Sequence, residues 1–179
     1  MTGFISEMLG AHERAGFASG HERIDRYFHE TVSQDIKRRY AACYVLVDKA
    51  SGKLAGFYTL SAHSIALNDI TPALAKKLPR YPTVPAALIG WLGRDLAFRG
   101  QEVGSMLLYD AIARVATSPM GAHAICADAI DAAAEAFYAM HQFERFTSRP
   151  ASFFLPVKTA LALVALPAKP APRERPVRP

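Results

Sequence analysis

A glycine-bearing turn stands at the centre of this sequence: Phe98-Arg99-Gly100-Gln101-Glu102-Val103-Gly104-Ser105. An apolar, strand-like run over residues 86–92 leads into the turn, and a helical pattern starts directly after it. The first backbone N–H groups of a helix have no partner inside the helix, and the helix dipole places partial positive charge there. Strand, turn and helix N-terminus together therefore predict an anion site that suits a diphosphate.

The bulk composition is that of one folded domain. The chain has 179 residues, of which 51% are hydrophobic and 21% charged, so it can bury a core of its own. No apolar run approaches the roughly 20 residues that a membrane-spanning helix needs. The first residues lack the basic region and the apolar stretch of a signal peptide. We therefore expect a cytoplasmic protein that makes no contact with a membrane.

Cysteine and histidine positions argue against a disulfide and a metal site, and the net charge leaves binding to a polyanion open. Cys43 and Cys126 lie in apolar, strand-like contexts, which favours buried thiols over a disulfide. No Cys/His spacing predicts a metal site. The net charge is +5, and part of it comes from a basic C-terminal tail. That tail has two interpretations: a solvated chain end, or a segment attracted to nucleic acid or another polyanion.

The first half of the chain predicts helices followed by a β-hairpin. Residues 1–16 form a poorly patterned segment without clear periodicity. Ser19 and Glu22 have the spacing of a capping box, and apolar residues at helical spacing follow as far as about residue 40. The remaining elements of this half are a strand at 43–47, a turn at 48–52, a strand at 54–63 and a short helix at 72–78.

The second half predicts strands and helices that alternate around the turn. The expected elements are a strand at 86–98, a helix at 102–116, a strand at 122–127, a helix at 129–141 and closing strands at 143–147 and 152–157. Residues 167–179 are rich in Pro, Ala and Arg, which is typical of a disordered tail. The order indicates a mixed α/β fold. A doubly wound dinucleotide fold is excluded, because the glycine spacing differs and no acidic residue ends a following strand about 20 residues on.

Two motifs connect the chain to a family. The turn matches the phosphate-cradling signature Q/R-x-x-G-x-G/A over residues 99–104. A second signature places an acidic residue, Asp131, ahead of Ala136-Phe137-Tyr138, with the apolar Phe143 beyond. Over about residues 17–157 the chain therefore resembles the GNAT acetyltransferase superfamily. The resemblance implies one domain over residues 17–160, a mixed, mostly antiparallel sheet flanked by helices, and acetyl-CoA as co-substrate.

Further segments resemble a narrower group, the GNAT toxins of bacterial toxin–antitoxin modules. They are 17–28, 56–62, 78–82 with 88–95, and 154–156. This resemblance implies that the acceptor is the α-amino group of an aminoacyl-tRNA, so that acetylation blocks translation. It also implies a neutralising antitoxin, often of ribbon-helix-helix type, and a homodimer.

The resemblance also assigns roles to residues. Tyr138 is expected to be the general acid, because a phenol with a pKa near ~10 is protonated at neutral pH and can reprotonate a thiolate. The alternative is that Tyr138 is an ordinary core aromatic. No general base is expected, because the amine of an aminoacyl ester is less basic than that of lysine. The residues expected to bind acetyl-CoA are Gly93, Arg94, Arg99, Gly100, Gln101, Glu102, Val103, Gly104, Ser105, Asp131 and Phe137.

Three positions depart from the family pattern. Glu102 stands where the signature has glycine, which we interpret as a need for close backbone approach to phosphate. A carboxylate there repels a diphosphate unless its side chain points to solvent as a first-turn helix acid. Gln142 stands where many members have glycine, and Trp91 stands where the toxin-like segment has arginine, which puts one RNA contact in doubt.

Three functions stay open at this point. A toxin that acetylates charged tRNA has the same donor site as an acetyltransferase for a small-molecule or protein amine. The third is a degenerate, non-catalytic binding protein that is disabled at Glu102. Basic residues favour the first function if they face RNA, although such runs are also ordinary solvated helix faces: Arg14, Arg23, Arg26, Lys37, Arg38, Arg39, Lys76, Lys77 and Arg80.

Overall fold

Two long strands form the centre of the sheet, β3 (Leu54–Ala66) and β4 (Thr83–Arg94). They pair antiparallel, from Gly56 opposite Arg94 to Ala66 opposite Thr83. In this computed structural model, which describes residues 3–165, both faces of the sheet are covered. Successive side chains of β3 point to opposite faces, so Phe57 joins one buried apolar cluster and Tyr58 joins another.

Five shorter strands extend the sheet on either side of this pair. They are β1 (Phe4–Met8), β2 (Ala42–Asp48), β5 (Ala124–Asp128), β6 (Glu144–Arg145) and β7 (Ser152–Pro156). The spatial order is β1-β2-β3-β4-β5-β7-β6. Every neighbouring pair is antiparallel except β4 and β5, which run parallel. The predicted mixed, mostly antiparallel sheet is therefore confirmed.

Helices cover the two faces of the sheet. They are α1 (Glu22–Arg26), α2 (Val32–Lys37), α3 (Pro72–Ala75), α4 (Val103–Thr117), α5 (Ala132–Met140) and α6 (Val157–Ala165), and a π-helical turn (Tyr27–Thr31) joins α1 to α2. Phe28 and Val32 pack with Phe57 on one face. On the other face α4 buries one apolar stripe, as its helical spacing predicts: Val103, Leu107, Leu108, Ala111, Ile112 and Val115.

A partly buried polar cluster ties the N-terminal strand to α4. Asp110 Oδ2 accepts hydrogen bonds from the hydroxyls of Ser6 (2.6 Å) and Tyr58 (2.5 Å) and from Nε of Arg114 (3.0 Å). The Arg114 guanidinium also lies 4.0 Å from the centroid of the Tyr44 ring. Hydrogen bonds to ionised groups are roughly twice as strong as neutral ones. Strand β1 is therefore anchored to α4 as well as to β2.

The two ends of the domain differ from the sequence prediction. Residues 4–8, within the segment that showed no periodicity, form β1 and pair with β2 from Phe4 opposite Asp48 to Met8 opposite Tyr44. An edge strand with no fully buried residue leaves little apolar alternation in the sequence. At the other end α6 continues past the predicted boundary at residue 160, and Ala160 is buried in the cluster that α4 covers.

The predicted capping box at Ser19 is wrong. His21 is the N-cap residue of α1, and no side chain caps that helix. The Ser19 hydroxyl instead donates to Asp25 Oδ1 (2.6 Å), which also accepts from the Ser19 backbone N–H (2.7 Å). The carboxylate receives two hydrogen bonds in this arrangement, and a charged acceptor binds them more strongly than a neutral one.

Both cysteines are buried, as predicted, and burial raises the pKa of each thiol to about 12. Within residues 3–165 we find no helix that is long and apolar enough to cross a membrane. The tail predicted at 167–179 lies outside the described residues.

The close approach of β3 to α4 generates a stability prediction. A Cβ atom added at Gly56 would lie 2.6 Å from Leu107 Cδ1 and 2.8 Å from the Gly93 carbonyl oxygen. We expect Gly56→Ala to lower the free energy of unfolding by about 1–3 kcal/mol, because overpacking must displace helix or backbone. Gly121→Ala is the matched control, since a Cβ there meets nothing within 4 Å. Urea unfolding measures both variants, and equal stability would contradict the packing described.

Candidate active site

A gap opens in the sheet where β4 and β5 separate. Their parallel pairing covers only Ala86 to Ile89 on β4, opposite Ala124 to Ala127 on β5. On its other edge β4 stays paired with β3 as far as Arg94. Residues 90–94 therefore have no strand partner on the β5 side. Backbone N–H and C=O groups need partners, so this free edge is a natural place for an extended ligand.

A β-bulge marks the start of the gap. Tyr58 pairs with Leu92 and Leu60 with Ile89, so Thr59 alone stands opposite the two residues Gly90 and Trp91. The Thr59 side chain fixes this bulge, because its Oγ1 accepts the backbone N–H of Trp91 at 3.0 Å while the residue is only 2% exposed. Thr59 is not among the residues predicted from the sequence. A glycine within a strand pattern, here Gly90, is the signal that indicates such a bulge.

The strand ends at a buried carboxylate. Asp95 Oδ1 accepts the N–H of Ala97 (2.8 Å), and Oδ2 accepts the N–H of Ala18 (2.9 Å). The N–H of Leu96 donates to the Ala18 carbonyl (2.9 Å). These contacts start a 3₁₀ turn at Leu96 and stop β4 at Arg94, four residues before its predicted end. They also fasten the loop before α1 to the glycine-bearing turn.

The glycine-bearing turn uses left-handed backbone at two positions. Gly100 has φ +80°, which glycine adopts without strain. Glu102 has φ +55°, and it is the N-cap residue of α4. The expectation that Glu102 is a first-turn acid is therefore wrong, while its exposure to solvent agrees with the expectation. The left-handed conformation explains why a signature glycine suits this position, a reason that differs from close backbone approach alone.

The first turn of α4 keeps its backbone donors free. The first hydrogen bond in the helix runs from the N–H of Met106 to the Glu102 carbonyl at 3.0 Å. The N–H groups of Val103, Gly104 and Ser105 come before this bond and therefore have no acceptor within the helix. No side chain caps the helix. Arg99 lies exposed at the end of the 3₁₀ turn, and Gln101 is exposed beside Glu102. Free amides and a guanidinium together fit a diphosphate.

The second predicted motif meets the turn in space. A Cβ atom added at Gly104 would lie 3.4 Å from the Phe137 ring, so α5 packs on the first turn of α4. Asp131 caps α5, since its Oδ1 accepts the N–H of Ala134 at 2.8 Å. This capping explains an acidic residue at that position. A contact of Asp131 with acetyl-CoA stays a prediction.

Tyr138 is buried in an aromatic cluster. It is 5% exposed, and its ring centroid lies 5.4 Å from that of Phe137, 5.3 Å from Phe143 and 6.0 Å from Phe153. Burial raises the pKa of its hydroxyl well above the ordinary value, and the charge of Asp128 acts in the same direction. Asp128 ends β5, where the gap opens. The phenol is therefore held in its protonated form, as a general acid requires.

A serine–histidine pair links α4 to α5 at the same place. His141 is 6% exposed, its Nδ1 lies 2.8 Å from the Phe137 carbonyl oxygen, and its Nε2 lies 3.0 Å from Ser105 Oγ. A carbonyl oxygen can only accept, so Nδ1 carries hydrogen, and in the neutral ring Nε2 accepts from the Ser105 hydroxyl. The sequence alone shows no partner for His141. The structure supplies that partner within the predicted diphosphate site.

Of the remaining residues, Trp91, Gly93 and Arg94 lie on the part of β4 that has no partner on the β5 side, and Gln142 follows α5. A Cβ atom at Gly93 would come within 2.7 Å of Ile24 Cγ2, so packing of α1 demands this glycine. Arg94 ends β4 and is half-buried. Gln142 follows α5 with φ +65°, which explains why glycine is common there. Trp91 stacks on Tyr27 with ring centroids 4.3 Å apart.

The basic residues singled out in the sequence divide into two groups. Arg14 donates to the Phe28 carbonyl (2.6 Å) and to Ser33 Oγ (2.9 Å), so it serves the packing of the α1–α2 unit. Arg26 pairs with Glu22 on the surface of α1. The other seven are exposed, and within residues 3–165 they form no ion pair: Arg23, Lys37, Arg38, Arg39, Lys76, Lys77 and Arg80.

Comparison with known proteins gives the family. No family model matches this chain. A tRNA-acetylating toxin of Mycobacterium tuberculosis is 31% identical over 156 residues, which cover 86% of this chain and 92% of that protein. The chain belongs to the GNAT toxin family. Another member, a probable toxin TacT of Sinorhizobium fredii, is 29% identical over 162 residues, or 86% of this chain and 90% of that one.

Solved GNAT toxins have the same fold. A tyrosine-to-phenylalanine mutant of KacT superposes with a TM-score of 0.83 at 24% identity, covering 90% of this chain and 99% of that one. AtaT complexed with acetyl-methionyl-tRNAfMet gives 0.82 at 21% identity, with 89% and 98% covered. AtaTR bound with acetyl-CoA gives 0.79 at 21%, with 91% and 99% covered. The family and fold expected from the two motifs are therefore confirmed.

The left-handed Glu102 leads to a test of the turn. We expect Glu102→Gly to raise the free energy of unfolding by up to about 1 kcal/mol, because the unfavourable left-handed conformation is relieved. Its affinity for acetyl-CoA should equal or exceed that of the unchanged protein, since a carboxylate near the diphosphate is removed. Glu102→Gln is the matched control, because it removes the charge and keeps the conformation. Calorimetry with acetyl-CoA that shows a large loss for Glu102→Gly would refute this geometry.

Proposed function

We propose that this protein is an acetyl-CoA-dependent N-acetyltransferase that acetylates the amino group of aminoacyl-tRNA and so blocks translation. The observation that carries the proposal is the uncapped first turn of α4, with three free amides, next to the end of β4 that has no partner on the β5 side. The names of relatives support it: one is a tRNA-acetylating toxin, and AtaT has been solved with acetyl-methionyl-tRNAfMet.

Binding of the donor follows from the order of groups along the gap. Acetyl-CoA supplies the acetyl group and a thiolate leaving group. The amides of residues 103–105 and the Arg99 guanidinium bind the diphosphate. The free edge of β4 at Gly93 and Arg94 binds the arm that carries the thioester. The arm hydrogen-bonds to this edge as a neighbouring strand would. The bulge at Gly90 sets how far the arm enters.

Proton transfer is assigned to Tyr138. The acceptor nitrogen forms a bond to the acetyl carbon while the bond from that carbon to sulfur breaks. The Tyr138 hydroxyl gives its proton to the departing sulfur, and the proton lost by the nitrogen restores the hydroxyl. Because burial raises the pKa of Tyr138, the phenol is protonated at the start of each turnover. The amine of an aminoacyl ester is less basic than that of lysine, so a larger fraction of it is neutral for attack and a strong protein base is not required.

Partners follow from the same family. We propose a neutralising antitoxin of ribbon-helix-helix type, a homodimeric assembly and action in the cytoplasm, where charged tRNA is found. The relatives give support of a coarser kind, since AtaT has been solved with the C-terminus of the antitoxin AtaR, and KacTA has been solved with DNA.

The function is tested by following labelled acetyl groups. The protein is incubated with radiolabelled acetyl-CoA and total aminoacyl-tRNA, and the labelled species is identified after nuclease digestion. We expect the label on the amino group of an amino acid esterified to RNA. Label that appears only on free amines or on protein lysines would contradict the proposal. No heat of binding with millimolar acetyl-CoA would instead identify a non-catalytic member.

The general acid is tested by Tyr138→Phe. We expect turnover to fall by about 10²–10⁴-fold, the usual contribution of positioned proton transfer. Stability and acetyl-CoA affinity should stay the same, because phenylalanine keeps the contacts with Phe143 and Phe153. Tyr40→Phe, at a tyrosine that is 69% exposed, is the matched control. Full activity of Tyr138→Phe in the acetylation assay would remove Tyr138 from the mechanism.

A further inference from the structure

The segment between β3 and β4 forms a groove with an exposed aromatic ring at its rim. The groove has a volume of about 680 Å³ and combines an apolar floor with two cations. We call it the α3 groove. The lining residues that the argument uses are Lys76, Arg80 and Tyr81. Tyr81 is 68% exposed, so most of its side chain is accessible to a partner.

The α3 groove is positively charged and has no acid of its own. Residues 70–94 include four cations and no Asp or Glu. The nearest acid along the chain, Asp69, is already engaged, since Oδ2 lies 3.6 Å from Arg149 Nη2 and Oδ1 accepts from the Ser148 hydroxyl at 2.9 Å. Within the described part of the chain, Lys76, Lys77 and Arg80 form no ion pair. A polyanion therefore meets only attraction here.

We propose that the α3 groove binds the single-stranded end of the acceptor RNA, with one base stacked on Tyr81 and phosphates paired with Lys76 and Arg80. The inference rests on the proposed function, in which the acceptor is a charged tRNA. Aromatic side chains stack on unpaired bases while cations hold the backbone, and this pairing of chemistries is typical of single-stranded RNA sites. An apolar groove alone also suits a protein segment, but the two cations on its lining, Lys76 and Arg80, favour RNA.

The position of the groove fits this role. Strand β4 begins at Thr83, two residues after Tyr81, and reaches the bulge at Gly90 seven residues later. At about 3.3 Å per residue the strand separates its first residue, Thr83, from the bulge by about 23 Å. An amino acid placed at the bulge would thus leave the last few nucleotides of its RNA to extend toward Tyr81. The groove would orient the acceptor without touching the reacting atoms.

Direct RNA binding tests the stacking contact without relying on catalysis. The probe is a fluorescein-labelled hairpin RNA that ends in a single-stranded 5′-ACCA-3′ tail, and anisotropy measures its affinity for the full chain. We expect Tyr81→Leu to weaken binding by about 5- to 100-fold, the range that loss of one stacked base causes. Tyr81→Phe keeps the ring and should bind like the unchanged protein. Both variants alter an exposed side chain and should unfold at the unchanged temperature.

The cations are tested by the salt dependence of the same binding. Lys76→Ala and Arg80→Ala should each weaken binding and lower the slope of log affinity against log salt by about 0.7–1, as expected for one lost phosphate contact. Lys49→Ala, an exposed cation on the β2–β3 turn, is the matched control and should leave the slope unchanged.

The outcomes separate this inference from the proposed function. Equal RNA affinity of Tyr81→Leu and the unchanged protein overturns the inference, and so does an unchanged protein that fails to bind the hairpin. Equal loss in Tyr81→Phe also overturns it, because the hydroxyl and not the ring would then be responsible. Reduced capture of the antitoxin with intact RNA affinity would assign the groove to a protein. RNA binding through Tyr81 without acetylation of aminoacyl-tRNA would instead refute the proposed function and leave the inference standing.

Discussion

The early end of the β4–β5 pairing is the constraint on which the rest of the molecule depends. Four residues of each strand pair in parallel, and then the two chains separate, each turning into a helix. Thr59 makes this separation stable by holding the bulge at Gly90 and Trp91 from the opposite strand. If the pairing continued to Arg94, β5 would supply hydrogen-bond partners to the backbone groups of β4, and an extended ligand would find none of them free.

Separation of the strands also brings two helix starts together. Helices α4 and α5 begin at the same end of the sheet, and Gly104 lets the Phe137 ring approach the first turn of α4. The N-termini of the two helices differ in their capping. Asp131 caps α5, whereas no side chain caps α4. A cap typically adds ~1 kcal/mol of stability, so its omission at α4 is a cost in stability that leaves the amides free for a phosphate ligand.

The sequence predicts well those parts whose signals are local. The apolar stripe of α4 repeats over four turns, and the motifs at Gly104 and Tyr138 are short and continuous, so helix, turn and aromatic pair are all predictable. Thr59 and Asp95 are different, because their hydrogen-bond partners lie 32 and 77 positions away. Strand β1 is not predictable for a related reason: its partner strand is distant in sequence, and none of its side chains is fully buried. Such features depend on tertiary contacts and leave no periodic pattern.

The shared carboxylate of Asp110 makes the N-terminal edge of the sheet part of the active-site scaffold. Ser6 shares this acceptor with Tyr58 and Arg114, and Asp110 lies on α4, the helix whose first turn carries the free amides. Trimming the chain beyond Ser6 would uncover the outer edge of β2 and take one donor from that carboxylate. Strand β1 is therefore an integral part of the sheet, and its loss would remove support from α4 as well as from β2.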